Sequence, residues 1–511
     1  MPVPRADHGG SRSSTAAKKE MQKPRAHDKD GLKKSTSNQQ GMESGLFLPL
    51  GLLVLQIAIV KRIWGEEWRT LADQGWSLVA ALVASVLYLV KIMFNRFCKK
   101  SKHEKLMSAE PANGPRKYVF LNGLKYDVTE FADKHPGGKV IRFYFDQDCT
   151  DAYNAFHRSS KWAAETLKSL KKTKAIPADV PPQPAYIKEY RELVRKWTRM
   201  GLYNPNWFFI GMRVLEIVGC LVFSIYFARH TIILSAMIAG YAWAKCGFLQ
   251  HDAGHLGITG NSDVDILIQV AFEGFAKGGS AAWWRNRHNK HHAKPNVHNQ
   301  DSDLVTLPFL SWDKDHAKEA PKWLIRYQAY YFVPLLCLYV PIFFITTKLF
   351  MWRKKHPFEA FVAVLHHLAF GYGLMGWSGL SLAETVGWFL LGYAVQGVYL
   401  GFVFSLSHFV MPHMHGPEEG KNVDWVKLQC NTTLDFSESE VVGWLTGHLN
   451  LQIEHHLCPT MPSSNYQYIK DDVRKLCQKY SEINYTAMSL WEAVRLNFKT
   501  LDEVARHRCS A

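Results

Sequence analysis

The chain has 511 residues, of which 47% are hydrophobic and 13% aromatic, and a formal net charge of +16 at pH 7. That length admits several domains and a sizeable core, which excludes a disordered chain, a collagen or a small disulfide scaffold. Nine cysteines, scattered and never spaced as CxxC, fit a reducing compartment and imply neither a disulfide framework nor a structural zinc module.

The mean hydropathy of −0.16 looks soluble, so the distribution along the chain has to decide. Residues 1–44 are rich in Ser, Lys, Arg, Gly and Gln and read as a disordered basic arm. Two apolar blocks, Gly45–Val60 and Trp76–Val90 with an extension to Phe97, predict a transmembrane hairpin over 45–97. Each is near the lower limit of the roughly 20 residues that a spanning helix needs. Basic residues after the second block (Arg96, Lys99, Lys100, Lys102, Lys105) put both outer ends in the cytosol. No spanning block falls within 101–200, which reads as a small soluble domain over 110–175 and a linker over 176–205, marked by the prolines of Ala175–Pro184. Trp207–Ala228 and Thr231–Leu249 then predict an antiparallel helical hairpin across a short turn, with Arg213 and Glu216 neutralising each other on one face. Further blocks at Gln328–Phe350, Phe358–Trp377 and Ser381–Ser407 make 206–462 a polytopic membrane domain. Residues 463–511 read as a cytosolic tail, with Ile469, Val473, Leu476, Cys477 and Tyr480 on one helical stripe.

In the small domain, His135-Pro136-Gly137-Gly138 is followed 22 residues after its histidine by His157, at the end of a stretch carrying Tyr153 and Phe156. A six-coordinate haem needs two imidazoles facing each other across the iron. Gly137 and Gly138 lack the Cβ atoms that would hinder backbone approach at the first histidine, and Tyr153 and Phe156 are candidates to wall the ring. Together with Tyr126–Phe131, these residues resemble the cytochrome b5 domain from about Lys117 to Lys172. The resemblance implies an α+β fold holding haem b, with His135 and His157 as axial ligands.

Three histidine clusters adjoin the membrane blocks. They are His251-Asp252-Ala253-Gly254-His255, His288-Asn289-Lys290-His291-His292 and Gln452-Ile453-Glu454-His455-His456. Spacings of i and i+3 or i+4 stack imidazoles on one helical face. Seven histidines exceed the needs of one tetrahedral zinc. Imidazole suits Zn, Cu, Fe and Ni alike, but an upstream haem implies redox chemistry and favours a pair of irons that activate O2. His408, delivered by the end of the Ser381–Ser407 block, is a candidate eighth ligand, and His448 is a candidate ligand or hydrogen-bond partner of one. His366 and His367 lie mid-block and read as packed, neutral histidines. Gln452 is a weaker ligand than imidazole and a candidate hydrogen-bond donor at the metal site.

The three boxes behind a cytochrome b5 domain resemble the front-end fatty acid desaturases, over about residues 116–500. The strings Trp283–His288, His291–Asn296 and Gly447–Pro462 are similar to the animal delta-6/delta-5 members. The first 110 residues depart from that pattern. The resemblance implies a polytopic α-helical membrane protein with the histidine-box di-iron desaturase fold. It implies catalytic roles for His251, His255, His288, His291, His292, Gln452, His455 and His456, and two irons held by the seven box histidines with His408. The expected reaction places a cis double bond in a polyunsaturated C18 or C20 acyl chain, as acyl-CoA, using O2 and electrons that reach the haem from an NADH-cytochrome b5 reductase.

The expected setting is the endoplasmic reticulum membrane, multi-pass, with haem and boxes facing the cytosol. The basic excess then lies against anionic lipid rather than nucleic acid. Arg285, Arg287, Lys290 and Lys294 are candidates either to meet a CoA phosphate or to form a positive rim. Three apolar blocks separate boxes two and three, so one must fail to cross; Phe358–Trp377, with its two histidines and several glycines, is the expected one. The alternatives are a sphingolipid long-chain-base desaturase, a fatty acid hydroxylase, and a membrane-tethered haem electron carrier with inactive boxes.

Overall fold

Asn122-Gly123 sits between two short apolar runs, and both residues take positive φ (52° and 74°). That is the geometry of a two-residue hairpin turn, and it folds β1 (Tyr118–Leu121) onto β2 (Leu124–Asp127), with Val119 opposite Tyr126. A third strand, β3 (Lys172–Lys174), extends the sheet antiparallel to β2. Val119, Leu121, Tyr126 and Val128 form its buried face, closed by Ile141, Tyr153 and Leu167; Tyr153 lies on α1 (Thr150–His157) and Leu167 on α2 (Lys161–Ser169). This computed structural model describes residues 115–158, 160–176, 182–416, 419–421 and 423–510. The basic arm expected over 1–44 and the hairpin expected over 45–97 lie outside the described residues.

The segment expected as a linker carries a helix, α3 (Ala185–Arg199), and that helix is a strap. Its buried stripe of Tyr186, Ile187, Tyr190 and Trp197 joins one core with Trp425, Ile453, Leu457 and Tyr466. Its polar atoms are matched as well: Tyr186 donates to Asp424 (2.6 Å), Tyr190 to the Leu457 carbonyl (2.9 Å) and Trp197 to Asp472 (2.8 Å). Arg191 grips Asp151 of α1 through two bonds of 2.8 Å. The haem-type module is thereby fixed on the rest of the protein.

Among the described residues, four helices are long and apolar enough to cross a membrane: α4 (Trp207–Phe227), α5 (Ile232–Gly254), the helix over Pro357–Trp377 and the helix over Leu382–Ser407. α5 is the central one, packed against α4 on one side and the Leu382–Ser407 helix on the other. Small residues permit that approach: a Cβ on Gly240 would lie 2.5 Å from the Gly392 carbonyl. Large apolar side chains such as Phe208 (81% exposed), Leu215 and Ile233 point outward as a lipid-facing surface.

Within this bundle the expected Arg213–Glu216 pair does not form. Arg213 stacks on Trp444 (4.2 Å) and Phe209 (4.9 Å). Glu216 turns instead toward α5, where Lys245 lies 3.5 Å away and Tyr241 donates to it.

Phe358–Trp377, the block expected not to cross, falls within one of these four helices. That segment is a continuous helix finishing in a π turn over Gly373–Trp377. The break is in the preceding block, where Gln328–Leu336 and Tyr339–Lys354 meet at 63°. Its cause is covalent: Pro341 has no N–H to bond the Cys337 carbonyl, and Pro334 removes a donor about two turns earlier.

The stretch expected as a tail is built into the fold. Val473, Leu476 and Cys477, from the helix over Lys470–Lys479, are buried with the strap. The terminal helix Leu490–Ser510 buries Leu501 against Phe332 and Leu336, and its Asn497 accepts from Trp312 (2.7 Å).

Candidate functional site

Box one lies on the last turn of α5, with His255 just past its end. Box two lies on the helix Ala281–Ala293, started by Ser280, whose side chain caps Trp283 N. Box three is the short helix Gln452–Leu457, buried throughout. These three elements and the end of Leu382–Ser407 bring all eight expected histidines into two adjoining groups. His251, His255, His288, His292 and His455 form one, and His291, His408 and His456 form the other; in each, the ring nitrogens lie within 4.8 Å of one another.

The first group has Nε2–Nε2 distances of 3.0 Å for His251–His288, His288–His292 and His292–His455. A ring nitrogen supports one in-plane hydrogen bond, yet His288 and His292 each meet two such neighbours. The buried Nε2 atoms of His255 and His456 have no partner at all. Convergent lone pairs that hydrogen bonds cannot satisfy are what a shared cation resolves, so the donor set fits metal. In the second group His291 and His408 stand 3.4 Å apart, and the Gln452 amide lies 2.7 Å from His408.

The opposite ring edges are held by residues that no box motif contains. His455 Nδ1 meets the Tyr466 hydroxyl at 3.0 Å, His456 Nδ1–H donates to Gln429 Oε1 at 2.8 Å, and His291 Nδ1–H donates to Asp301 at 2.9 Å. Such partners fix the tautomer that presents Nε2 to a metal. Burial and neighbouring imidazoles hold His292, His455 and His456 well below the usual imidazole value, and burial pushes His288 to about 3. All four are neutral at pH 7, the state that donates a lone pair. Burial lowers His291 too, but Asp301 and Asp303 outweigh it and raise it.

His448 joins neither group. Its ring packs on Phe209 and its Nε2 faces Glu440 at 3.9 Å. His366 Nδ1–H donates to the Phe275 carbonyl (2.8 Å), and the ring sits among Trp243 and Phe370, a packed histidine as expected. The basic residues beside box two are engaged within the chain. Arg287 pairs with Asp303 (2.7 Å), Arg285 donates to Gln269, Lys290 to Asn286 (3.0 Å), and buried Lys294 to the Gly420 carbonyl (2.7 Å).

In the haem-type module the rings of His135 and His157 face each other, with centroids 6.0 Å apart. That spacing suits an iron bonded at about 2 Å to a nitrogen of each ring. Burial depresses both to about 4, so both are neutral donors. A Cβ on Gly137 would lie 2.8 Å from the His135 ring, and one on Gly138 would strike Asn286 of the box-two helix, so the second glycine serves docking. Tyr153 packs against His157 (5.0 Å), as expected of a wall residue. Phe156 does not share that role: it faces away, 5.7 Å from Trp425 and 6.5 Å from His292.

The sequence matches the family "Fatty acid desaturase" over residues 228–487 and the "Cytochrome b5-like Heme/Steroid binding domain" over 101–191. It is 33% identical over 405 residues to the acyl-lipid (8-3)-desaturase of Rebecca salina, covering 77% of this chain and 93% of that protein. It is 32% identical over 388 residues to the fatty acid desaturase 2-like protein of Mus musculus, covering 71% of this chain and 77% of that one. Over 510 residues it is 29% identical to the acyl-lipid (9-3)-desaturase of Physcomitrium patens, covering 94% and 90%. The chain is a membrane fatty acid desaturase with a fused cytochrome b5 domain. As in that family, this desaturase is an oxidoreductase that acts on fatty acyl chains with O2, using haem and a di-iron centre. A void lined by Gly247, Trp284, Tyr339, Phe343, Gln396 and Leu400 adjoins the five-histidine group at Trp284. Trp284 stacks on His288, with ring centroids 4.3 Å apart.

Proposed function

We propose that this desaturase inserts a cis double bond into polyunsaturated C18 or C20 acyl chains, between an existing double bond and the carboxyl end. An unactivated methylene has no acidic proton and no leaving group, so its hydrogens need an O2-derived oxidant, which is the chemistry that two bound irons would supply. His251, His255, His288, His292 and His455 hold one iron, and His291, His408 and His456 hold the other, beside Gln452. His135 and His157 hold the haem. The observation that carries this reading is the convergence of Nε2 atoms in two adjoining groups, with the opposite ring edges fixed by Tyr466, Gln429 and Asp301. The acyl chain is read into the void between Gly247, Tyr339 and Leu400, which reaches the groups at Trp284.

Expression in a yeast that lacks polyunsaturated fatty acids, fed C18 and C20 acids, tests the reading by mass spectrometry of double-bond positions. New double bonds on the carboxyl side of existing ones are expected. Changed long-chain bases with no new fatty acid on any feed would reject it in favour of the sphingolipid reading.

Acyl-CoA is the expected carrier. An acyl chain esterified to membrane lipid is a second reading, favoured by the internal engagement of Arg285, Arg287, Lys290 and Lys294 and by the acyl-lipid names of two of the relatives. Pulse feeding separates the two: product appears first in the acyl-CoA pool or first in phospholipid.

Electrons are read as entering from an NADH-cytochrome b5 reductase and passing at Phe156, which adjoins His157 in sequence and reaches His292. In purified protein, Phe156→Leu is expected to slow reoxidation of the reduced haem, with haem midpoint potential and iron content unchanged. An unchanged rate would remove Phe156 from the route. The setting is read as the endoplasmic reticulum, with the bent pair Gln328–Lys354 re-entrant and the boxes cytosolic. A glycosylation tag after Lys354 then stays unmodified and one at Gly379 is glycosylated; the reverse pattern would refute this topology.

A further inference from the structure

Beyond the two groups of candidate iron ligands lies a third convergence of imidazoles. It draws on three separate segments: His298 after the box-two helix, Asp313 and His316 at the start of a short 3-10 turn, and His413 and His415 after the Leu382–Ser407 helix. Backbone pairing holds the first and third together, His298 N donating to the Met414 carbonyl and Met414 N to the Asn296 carbonyl, both at 2.9 Å. His298, Asp313 and His413 each present a donor atom within 4.8 Å of the other two. His413 Nδ1 stands 3.3 Å from His298 Nε2, and Asp313 stands 4.0 Å from His298 and 3.6 Å from His415 Nε2. Donors of a tetrahedral zinc with bonds of ~2.0–2.2 Å stand about 3.3–3.6 Å apart, so the His298–His413 and Asp313–His415 spacings already match and the Asp313–His298 spacing needs a small side-chain rotation.

Two local bonds prepare the donors. His413 Nε2–H donates to the Phe409 carbonyl (3.1 Å), which leaves the lone pair on Nδ1, the edge that faces His298. Asp313 Oδ1 accepts His316 N (2.7 Å), which orients the carboxylate and leaves Oδ2 toward His415. His316 packs on the His298 ring at 4.4 Å.

We propose that His298, Asp313 and His413 bind a third metal ion, a divalent cation of the zinc type, with His415 closing the outer side. Imidazole and carboxylate together suit such an ion, and these residues are separate from both candidate iron sites. Asn296 gives the site a purpose. Its backbone is paired with Met414, its side-chain amide donates to the His408 carbonyl (2.9 Å), and its N–H donates to Asp301, the partner of His291. A metal clamping His298 to His413 ties the segment that follows His291 to the segment that follows His408.

The test uses full-length protein purified with haem and iron, equilibrated with Zn2+ buffered in the micromolar range, then with Co2+. Wild type is expected to take up one zinc beyond its iron and to show the visible absorption of tetrahedral cobalt. His298→Ala/His413→Ala is expected to lose both, at unchanged haem absorbance and iron content. Asp313→Asn is expected to bind zinc about tenfold or more weakly. No zinc uptake by wild type, or equal uptake by the double variant, would overturn the proposal. Should the double variant fail to fold, Asp313→Asn and His415→Ala decide, and unchanged zinc affinity in both overturns it equally.

Discussion

Gln429 is the sharpest test of how the protein shapes its metal site, because it touches a candidate ligand without being one. It is fully buried; its Oε1 accepts from His456 Nδ1–H at 2.8 Å, and its Nε2 donates to the His292 carbonyl at 3.0 Å. Gln429→Leu keeps much of the volume and removes both bonds, leaving a buried N–H and a buried carbonyl unsatisfied at about 1–3 kcal/mol each. Only the first bears on the metal. Losing a partner that orients a ligating histidine weakens metal binding about 10–100-fold, which is about 1.4–2.7 kcal/mol at 1.36 kcal/mol per tenfold. One unsatisfied N–H therefore accounts for the whole metal effect, and the carbonyl adds only to instability. Gln429→Glu separates the two, since a carboxylate still accepts from His456 but cannot donate to His292. The assay is iron per chain after dialysis against graded chelator, with haem absorbance as the folding control. Gln429→Leu is expected to lose one iron at lower chelator than Gln429→Glu does. Equal retention by Gln429→Leu and wild type would refute the assignment of His456 as a ligand.

Other consequences are as direct. His408→Ala is expected to lower iron from two per chain to one, whereas His448→Ala keeps both, since His408 stands in the three-histidine group and His448 faces Glu440; elemental analysis reads this. Gly137→Ala puts a Cβ 2.8 Å from the His135 ring and is expected to lower the ratio of haem absorbance to protein. Gly123→Ala, at φ 74° with open space around it, costs about 1 kcal/mol of strain and leaves haem binding intact. Burial first and Arg213 second depress His448 from 6.5 to about 4. The unfolded chain then takes up the proton sooner, so the stability is fully present above pH 6.5 and is lost as pH falls toward 4, at most about 3 kcal/mol at 1.36 per unit. His448→Asn is expected to flatten melting temperature against pH across that window, and an unchanged acid limb would refute it.

What the sequence shows and hides follows from the range of the forces involved. The helical hairpin over Trp207–Leu249, the haem histidines, the boxes and His408 are legible because each depends on near neighbours along the chain or on a residue type with one chemistry. Gln429, Asp301 and Tyr466 are not, since a polar residue reads as a future hydrogen-bond partner only once the chain has folded around it. The strap over Ala185–Arg199 is amphipathic in sequence, but the adjoining prolines suggest a linker, and only Tyr186, Tyr190 and Trp197 finding acceptors on remote segments reveal its role. The same limit explains Arg213 and Glu216. Spacing makes them neighbours, while Trp444, some 230 positions away, decides where the guanidinium goes.

The pairs of adjacent histidines carry the deepest lesson about the boxes. Successive residues on a helix point about 100° apart, whereas i and i+4 differ by about 40°. Box two therefore cannot present its histidines to one point. His288 and His292 share a face and enter the five-histidine group, while His291 turns into the other. His455 and His456 divide likewise, their ring planes 89° apart. A doublet is the shortest sequence by which one helix serves two adjoining ions. Box one has no doublet, only His251 and His255 at i and i+4, and so serves a single ion. It adds two donors to the five-histidine group and none to the other, which would be left with His291 and His456 alone. His408, from the end of a different helix, supplies the third donor that box one cannot, and the unequal groups follow from where the boxes have doublets.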